Sequence, residues 1–318
     1  MYSVVIPTYR RKDELITCIR HLFNQSIKPS EIVISGVKDD IDTKETVEYL
    51  AKEYASETVN FKYVTSLRKG IATQRNRGLE TAEYEYILMI DDDVEIPPHF
   101  VETAIAILQE RNGLLVTGFD VRKPVVKPIQ NLLRKLFFLD HYARNLQIIL
   151  PAGSKVIAYA ADKDVEAQWL STTVLVMRKE VTNTIKFDET LVNYSHREDQ
   201  DFSYSVYKRF GKRLILSPRL SFTHHHSSRS RVKYSKFCHL YVYNTFFLFR
   251  KHFFDLPKNK LIFTWSMIGI ALQGLNHSFQ HGNASFFYET MRALIRVINS
   301  WHQAKLMRFG KLYEPVSI

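Results

Sequence analysis

Three consecutive carboxylates, Asp91, Asp92 and Asp93, follow an apolar run in YEYILMIDDDVEIPPHF, residues 84–100. Adjacent acids repel one another, so placing them at the end of a buried segment calls for a compensating partner. Hard oxygen ligands suit Mn2+ or Mg2+, ions that commonly bridge to phosphate oxygens. A second acidic cluster lies in HREDQDF, where Glu198, Asp199 and Asp201 open a helical stretch. Acids favour a helix N-terminus for its positive dipole end, so decoration alone accounts for that pattern. A carboxylate fixed beside a metal-bound electrophile can equally act as general base toward a hydroxyl. The third cluster is SFTHHHSSRSR, in which His224, His225 and His226 end a strand and Arg229 and Arg231 follow. A metal ligand with phosphate-binding arginines fits these residue types. Strand alternation sends His224 and His226 to one face and His225 to the other, so the three cannot share one ion.

On residue types alone, three readings of the aspartates stay open. They are an acidic turn, metal-assisted chemistry on a nucleoside diphosphate, and a haloacid-dehalogenase-type phosphatase. The phosphatase motif usually continues with Thr or Val two residues after its second Asp, where this chain has Glu95. It also usually follows the first strand of its fold, whereas three strand–helix units precede it here.

Those units must position the acids. YSVVIPTY is β-rich and stops at Pro7; KDELITCIRHLFNQS then carries Leu15, Ile19, Leu22 and Phe23 at helical spacing. SEIVISG, NFKYVTS and YEYILMI read as further strands, with TKETVEYLAKEYA and IATQRNRGLETA as the helices between them. The alternation predicts an α/β fold, a Rossmann-like and mostly parallel sheet flanked by helices. Ligands of such sheets sit at the carboxyl ends of the strands, near a switch in strand order, where the aspartates fall. Farther on, 99–111 reads as helix, 113–120 as strand, and KPIQNLLRKLFFLDHYARNLQIIL (127–150) as a helical insertion. WLSTTVLVMRKEV and KRLILSPRLSFTHHH read as strands around a helix that Gly211 closes.

Composition narrows the classes. Hydrophobic residues at 45% allow a substantial core, and two cysteines, Cys18 and Cys238, give neither a disulfide framework nor metal-type spacing. The opening MYSVVIPTYRRK places its apolar run ahead of its bases, the reverse of a secretory leader, so a cytoplasmic location is expected. Charge is uneven: residues 202–318 hold 18 Lys and Arg against 3 Asp and Glu. Such a tail seeks polyanions. A nucleic-acid binder would leave both acid clusters unexplained, so no nucleic acid is expected. A nucleotidyltransferase would carry a Gly-rich, Lys-containing loop after its first strand, and PTYRRKDE has none.

Taken in order, SVVIPTYRR, GIATQRNRGLETA, YILMIDDDVEIPP and REDQDFSYSVYKRFGKRLILSPRLSFTHHH resemble the inverting family 2 glycosyltransferases with the A-type nucleotide-sugar fold, over about residues 2–235. The resemblance implies a D-x-D motif with Asp91 near the ribose, Asp92 beside it and Asp93 on a Mn2+ or Mg2+ ion. It implies Glu198–Asp199 as the acidic pair, with Asp199 the base, and His224 completing the metal site. Pro7, Thr8, Tyr9, Arg10, Arg75 and Asn76 are implied to line the nucleotide pocket. The implied partners are a nucleoside-diphosphate sugar and a glycan or lipid-linked saccharide acceptor; a non-catalytic nucleotide-sugar binder is the alternative, and the oligomeric state stays open. Two stretches depart from the family. EIVISGVKDD offers Ser35 and Gly36 where an acidic turn is usual, which leaves the nucleobase open. QWLSTTVLVMRK replaces a small-residue segment, and its Trp169 either stacks on a sugar or belongs to the core.

The expected division is a nucleotide-sugar-binding and catalytic domain over 1–235 and a C-terminal helical extension over 236–318. Within the latter, LIFTWSMIGIALQGL is a 15-residue apolar stretch, short of the roughly 20 residues a spanning helix needs. Between basic and aromatic flanks it reads either as a helix lying in the interface of an anionic membrane, at the inner face of the cell membrane, or as a helix packed on the catalytic domain or in a dimer contact.

Overall fold

The computed structural model describes residues 1–66, 68–191, 196–226 and 234–300. Its first part alternates strand and helix: β1 (Tyr2–Pro7), α1 (Lys12–Leu22), β2 (Glu31–Val37), α2 (Ile41–Glu53), β3 (Asn60–Ser66), α3 (Ile71–Thr81) and β4 (Tyr86–Ile90). Every residue of β1, β2 and β4 is buried, as helices on both faces of a parallel sheet require. β1 pairs in parallel with β2 on one side and β4 on the other, and β2 pairs in parallel with β3. The chain therefore runs outward through β2 and β3, then crosses back to β4. The reversal of strand order lies between β1 and β4, and a crevice opens beyond their carboxyl ends. Gly78 lets α3 settle close over this centre, since a Cβ there would lie 2.4 Å from Val5 Cγ1.

The second part holds β5 (Val94–Glu95), α4 (Phe100–Glu110), β6 (Leu115–Asp120), α5 (Pro128–Leu136), β7 (His141–Arg144), β8 (Ile148–Ile149), β9 (Lys155–Ala160), β10 (Val165–Glu166), β11 (Val174–Arg178), α6 (Glu198–Phe210) and β12 (Leu214–His224). The main sheet runs β10-β12-β6-β11-β4-β1-β2-β3, with β5 on β12, and β7-β9-β8 form a small separate sheet. The expected mostly parallel sheet is observed, with one insertion. β11 is antiparallel to both β4 and β6. No helix carries the chain back before β11, so it enters the sheet from the carboxyl end, Val174 beside Ile90.

The 127–150 segment is helical only over Pro128–Leu136. Phe138 and Asn145 take left-handed backbone with φ of 52° and 57° and turn the chain into strands instead. Asn131 seals the turn: its amide donates to the Tyr142 carbonyl and its oxygen accepts the Tyr142 N–H, both at 2.8 Å.

Two features steer the chain toward the crevice. The register of β12 against β6 shifts between Leu216 and Ser221, an irregularity that re-aims a strand end. Gly118 of β6 permits it, because a Cβ there would lie 2.2 Å from the Leu220 carbonyl oxygen. The tip of β12 then pairs with β5, His224 opposite Val94, which sets His224 against the aspartate turn.

Beyond residue 233 come α7 (Tyr234–His252), α8 (Pro257–His281) and α9 (Ser285–Ser300), with a core of their own that includes Val242, Phe246, Phe249, Phe263, Ile270 and Leu294. α7 also braces α6. Lys251 Nζ lies 2.8 Å from Asp201 Oδ2 and 2.8 Å from Asp188 Oδ2, and His252 Nε2 lies 2.8 Å from Asp201 Oδ1. Among the described residues, no helix is long and apolar enough to cross a membrane.

Candidate active site

A cavity of about 430 Å3 lies at the crevice between the ends of β1 and β4, and Pro7, Thr8, Tyr9, Arg75, Asp91, Asp92, Asp93, Glu198, Asp199 and His224 all line it. These residues come from five separate stretches of chain. The fold thus brings together most of the side chains that the sequence singled out.

The acids of the β4 turn are compensated by protein groups. Asp92 is buried and accepts from Thr8 Oγ1 at 2.7 Å and from Arg11 Nη1 at 2.7 Å. Burial pushes its carboxyl up to about 6 against the pull of Arg11 and Thr8. Asp93 lies 3.5 Å from Arg11 Nη1 and 3.1 Å from His224 Nε2. Asp91 is bound by Arg75 Nη2 at 3.0 Å, while Arg75 Nη1 donates to Glu198 Oε1 at 2.6 Å. One buried guanidinium therefore joins the turn after β4 to the first residue of α6. Burial pushes the Glu198 carboxyl up to about 7 against Arg75, and the neighbouring Asp199 charge adds to the rise.

The entry to α6 is shaped by its preceding residue. Arg197 has φ of 79°, unusual for a residue with a side chain, and that side chain is fully buried. Its guanidinium donates to Asp140 Oδ2 at 2.9 Å and to Gln200 Oε1 at 2.7 Å, and it stacks over the Tyr241 ring at 4.8 Å. Asn244 of α7 donates to the carbonyl of His196. These contacts hold a sharp backbone turn that presents Glu198 and Asp199 to the cavity. Asp199 Oδ1 accepts from the Gln200 N–H at 2.9 Å and from Gln200 Nε2 at 3.2 Å. Among the described residues no donor is bound to Oδ2, which is left to accept a proton from a ligand hydroxyl.

Divalent-cation chemistry fits the donor set. Asp93 and His224 stand in contact, and one ligand atom each from Asp120, His224 and His226 lie within 4.8 Å of one another. Oxygen and imidazole donors of this kind suit Mn2+. Burial disfavours the charged form of His224, but the hydrogen bond and charge of Asp93, with Asp91 and Asp120 behind it, outweigh burial and raise its pKa. His225 points away, its Nε2 3.5 Å from Glu95 Oε2 at the surface.

Three of the residues that the sequence singled out, Arg10, Asn76 and Trp169, do not line this cavity. Arg10 has φ of 56°, which turns its side chain outward toward Asp39 at 3.7 Å and gives the cavity to Arg11 instead. Asn76 is buried on α3 and spans the 187–189 segment, donating to the Phe187 carbonyl and to Glu189 Oε1, both at 2.9 Å, while accepting the Phe187 N–H. Trp169 is core rather than a stacking platform: it is 4% exposed, and its Nε1 donates to the Val156 carbonyl at 3.0 Å. Its ring carries Lys155 Nζ at 4.4 Å, and it is Lys155 that reaches the cavity. Arg229 and Arg231 lie outside the described residues.

Arg11, Gln74, Asp120, Lys155, Thr173 and Arg197 belong to the site or its support without having been singled out, and His226 joins His224 there. Gln74 donates to the carbonyls of Thr8 at 2.7 Å and Ser35 at 3.0 Å, tying the ends of β1 and β2. The Thr173 carbonyl accepts the Asp91 N–H at 2.9 Å. Of these, Arg11, Gln74, Thr173 and Arg197 had a signal only as neighbours within stretches already quoted.

Comparison with known proteins agrees with this geometry. The family model described as Glycosyl transferase family 2 matches residues 3–160. The uncharacterized glycosyltransferase YibD of Escherichia coli (strain K12) is 33% identical over 108 residues, covering 34% of this chain and 30% of that protein. The chain thus spans about a third of the length of that relative. The amylovoran biosynthesis glycosyltransferase AmsB of Erwinia amylovora is 24% identical over 246 residues, covering 74% of this chain and 75% of that protein. Among solved structures, the mannosyltransferase PcManGT from Pyrobaculum calidifontis, in complex with GDP-Man and Mn2+, superposes with a TM-score of 0.56 at 14% identity, covering 93% of this chain and 86% of that one. S. aureus TarS gives a TM-score of 0.54 at 18% identity, covering 98% of this chain and 50% of that one. Both likenesses are of fold. By its sheet, its aspartate turn at the strand-order reversal and the match over residues 3–160, the chain carries a glycosyl transferase family 2 domain.

Proposed function

We propose that the chain is a metal-dependent, inverting glycosyltransferase that moves a sugar from a nucleoside-diphosphate donor to a hydroxyl of a glycan or lipid-linked acceptor. The observation that carries this reading is the Arg75 bridge, which holds Asp91 at 3.0 Å and Glu198 at 2.6 Å and so sets the β4 turn and Asp199 around one cavity. Pro7, Thr8 and Tyr9 at the end of β1 face the nucleoside, and Asp91 faces its ribose. Asp93 and His224, with Asp120 and His226 in reach, would hold Mn2+ or Mg2+. When bound, such an ion supplies positive charge for the departing diphosphate. Arg11 and Lys155 add fixed positive charge to the same cavity. Asp199 takes the proton of the acceptor hydroxyl, the hydroxyl oxygen bonds to the anomeric carbon, and the bond to the diphosphate breaks. A single displacement of this kind inverts the anomeric carbon.

The test is a hydrolysis and binding screen of nucleotide sugars with Mn2+ present or chelated. The expected result is one preferred donor whose affinity falls at least about tenfold with EDTA, a factor worth about 1.4 kcal/mol. Asp93→Ala should bind that donor as weakly as the chelated wild type does. Equal affinity of both proteins in Mn2+ would remove the metal from the account.

The same proposal includes attachment to an anionic membrane from the cytoplasmic side. On α5, Ile129, Leu132, Leu133 and Leu136 are exposed at one-face spacing, next to Arg134 and Lys135. α8 lies alongside, its Trp265 Nε1 donating to the Leu136 carbonyl at 2.9 Å, and exposes Leu261, Ile268, Leu272 and Phe279. Basic residues beside exposed apolar side chains suit the headgroup region of an anionic bilayer. In flotation with phosphatidylglycerol vesicles the wild type should rise and Leu132→Glu/Leu272→Glu should stay at the bottom; equal flotation would contradict the assignment.

A further inference from the structure

A second cavity, of about 350 Å3, lies under the C-terminal helices, and nothing in the transfer chemistry above uses it. It falls within the size range of small-ligand pockets. His196 lines both this cavity and the donor cleft, so the two are neighbours across the residue two positions before Glu198. The His196 imidazole packs against the rings of Phe237 at 5.3 Å and Tyr241 at 5.9 Å. The opposite wall is a polar stripe on α8: Gln273, Asn276, His277 and Gln280 recur at i, i+3, i+4 and i+7, hence on one face. The carboxamides of Gln273, Asn276 and Gln280 make no protein hydrogen bond among the described residues. That stripe runs between the buried face of α8, with Phe263 and Ile270, and the exposed apolar face, with Leu272 and Phe279.

We infer that this cavity binds the saccharide part of the acceptor. Aromatic rings at one wall suit the apolar faces of pyranose rings, and the carboxamides at the other suit their hydroxyls. A sugar seated there lies next to the turn that presents Asp199. A lipid attached to it would continue onto the neighbouring apolar face of α8. The inference rests on the glycosyltransferase reading and specifies where the acceptor lies.

The experiment uses the full chain and a panel of methyl glycosides (gluco, galacto, manno and their N-acetylamino forms, both anomers), followed by saturation-transfer NMR. At least one glycoside should bind, and Gln273→Ala/Gln280→Ala should weaken it at least tenfold while leaving donor affinity and donor hydrolysis unchanged. Gln280→Trp, a surface change at the rim, should block the same glycoside by occupying space. Absence of binding by every glycoside, or equal binding by the variants, overturns the inference. So does binding of farnesyl phosphate with no glycoside binding, which would make the cavity a lipid site. Failure of the glycosyltransferase reading looks different: no nucleotide sugar binds, whatever the glycosides do.

Discussion

Asp199→Asn is expected to lower sugar transfer by about two to four orders of magnitude, the range spanned by a positioned general base, with donor affinity unchanged. Asn keeps an oxygen where Asp199 Oδ1 accepts from the Gln200 N–H at 2.9 Å, so the start of α6 retains its geometry. What disappears is the ability of the outer oxygen to take a proton. Calorimetry with the preferred donor and a transfer assay on the same preparation separate the two effects. Transfer within about threefold of wild type would move the base to another group. Glu198 would be a poor substitute, because its oxygen is already engaged by Arg75 at 2.6 Å.

Arg75→Met is expected to destabilise the fold by about 3–5 kcal/mol, the usual cost of leaving a buried ion pair without one partner. Two carboxylates lose their counter-charge here at once, Asp91 and Glu198. Both sit in a site where burial already raises their pKa above ordinary values. Denaturant unfolding measures the loss directly. A second substitution, Glu198→Gln, should restore part of it, because one uncompensated charge is then removed. A loss below about 1 kcal/mol would mean that solvent reaches the pair and that the bridge does not join the two halves of the site.

Much of the fold was legible because the parallel strands advertise themselves. VVI, IVI and ILM are apolar runs too short for helices and bounded by turn residues, and each became a fully buried strand. β11 was equally visible as a strand, but its direction was not. Direction depends on which end of the sheet the chain approaches, and that is set by the short strands of residues 141–166, of which 141–150 read as part of a helical insertion. Their apolar residues suit either period, and the positive φ at Phe138 and Asn145 leaves no trace in composition.

The site divides along a similar line. Motif order located Asp91–Asp93, Glu198–Asp199 and His224, which the sheet gathers at one crevice. Orientation within a motif was not legible. Arg10 and Arg11 are chemically alike, and a left-handed backbone at Arg10 decides which of them meets Asp92. Asn76 and Trp169 have residue types that fit a ligand pocket, yet each is satisfied by backbone groups of its own protein. Arg197 stands in the quoted HREDQDF stretch, but its burial was not legible there, since a buried arginine before a helix is defined by partners distant in sequence.

The hold of α7 on the turn before α6, through Asn244 and Tyr241, bears on how this molecule can diversify. The C-terminal helices are not a detachable appendage, because α7 touches the residues just before α6. Exchanging them between relatives would also shift the turn that carries Asp199, so under the proposed function membrane attachment and sugar transfer would be inherited as one unit.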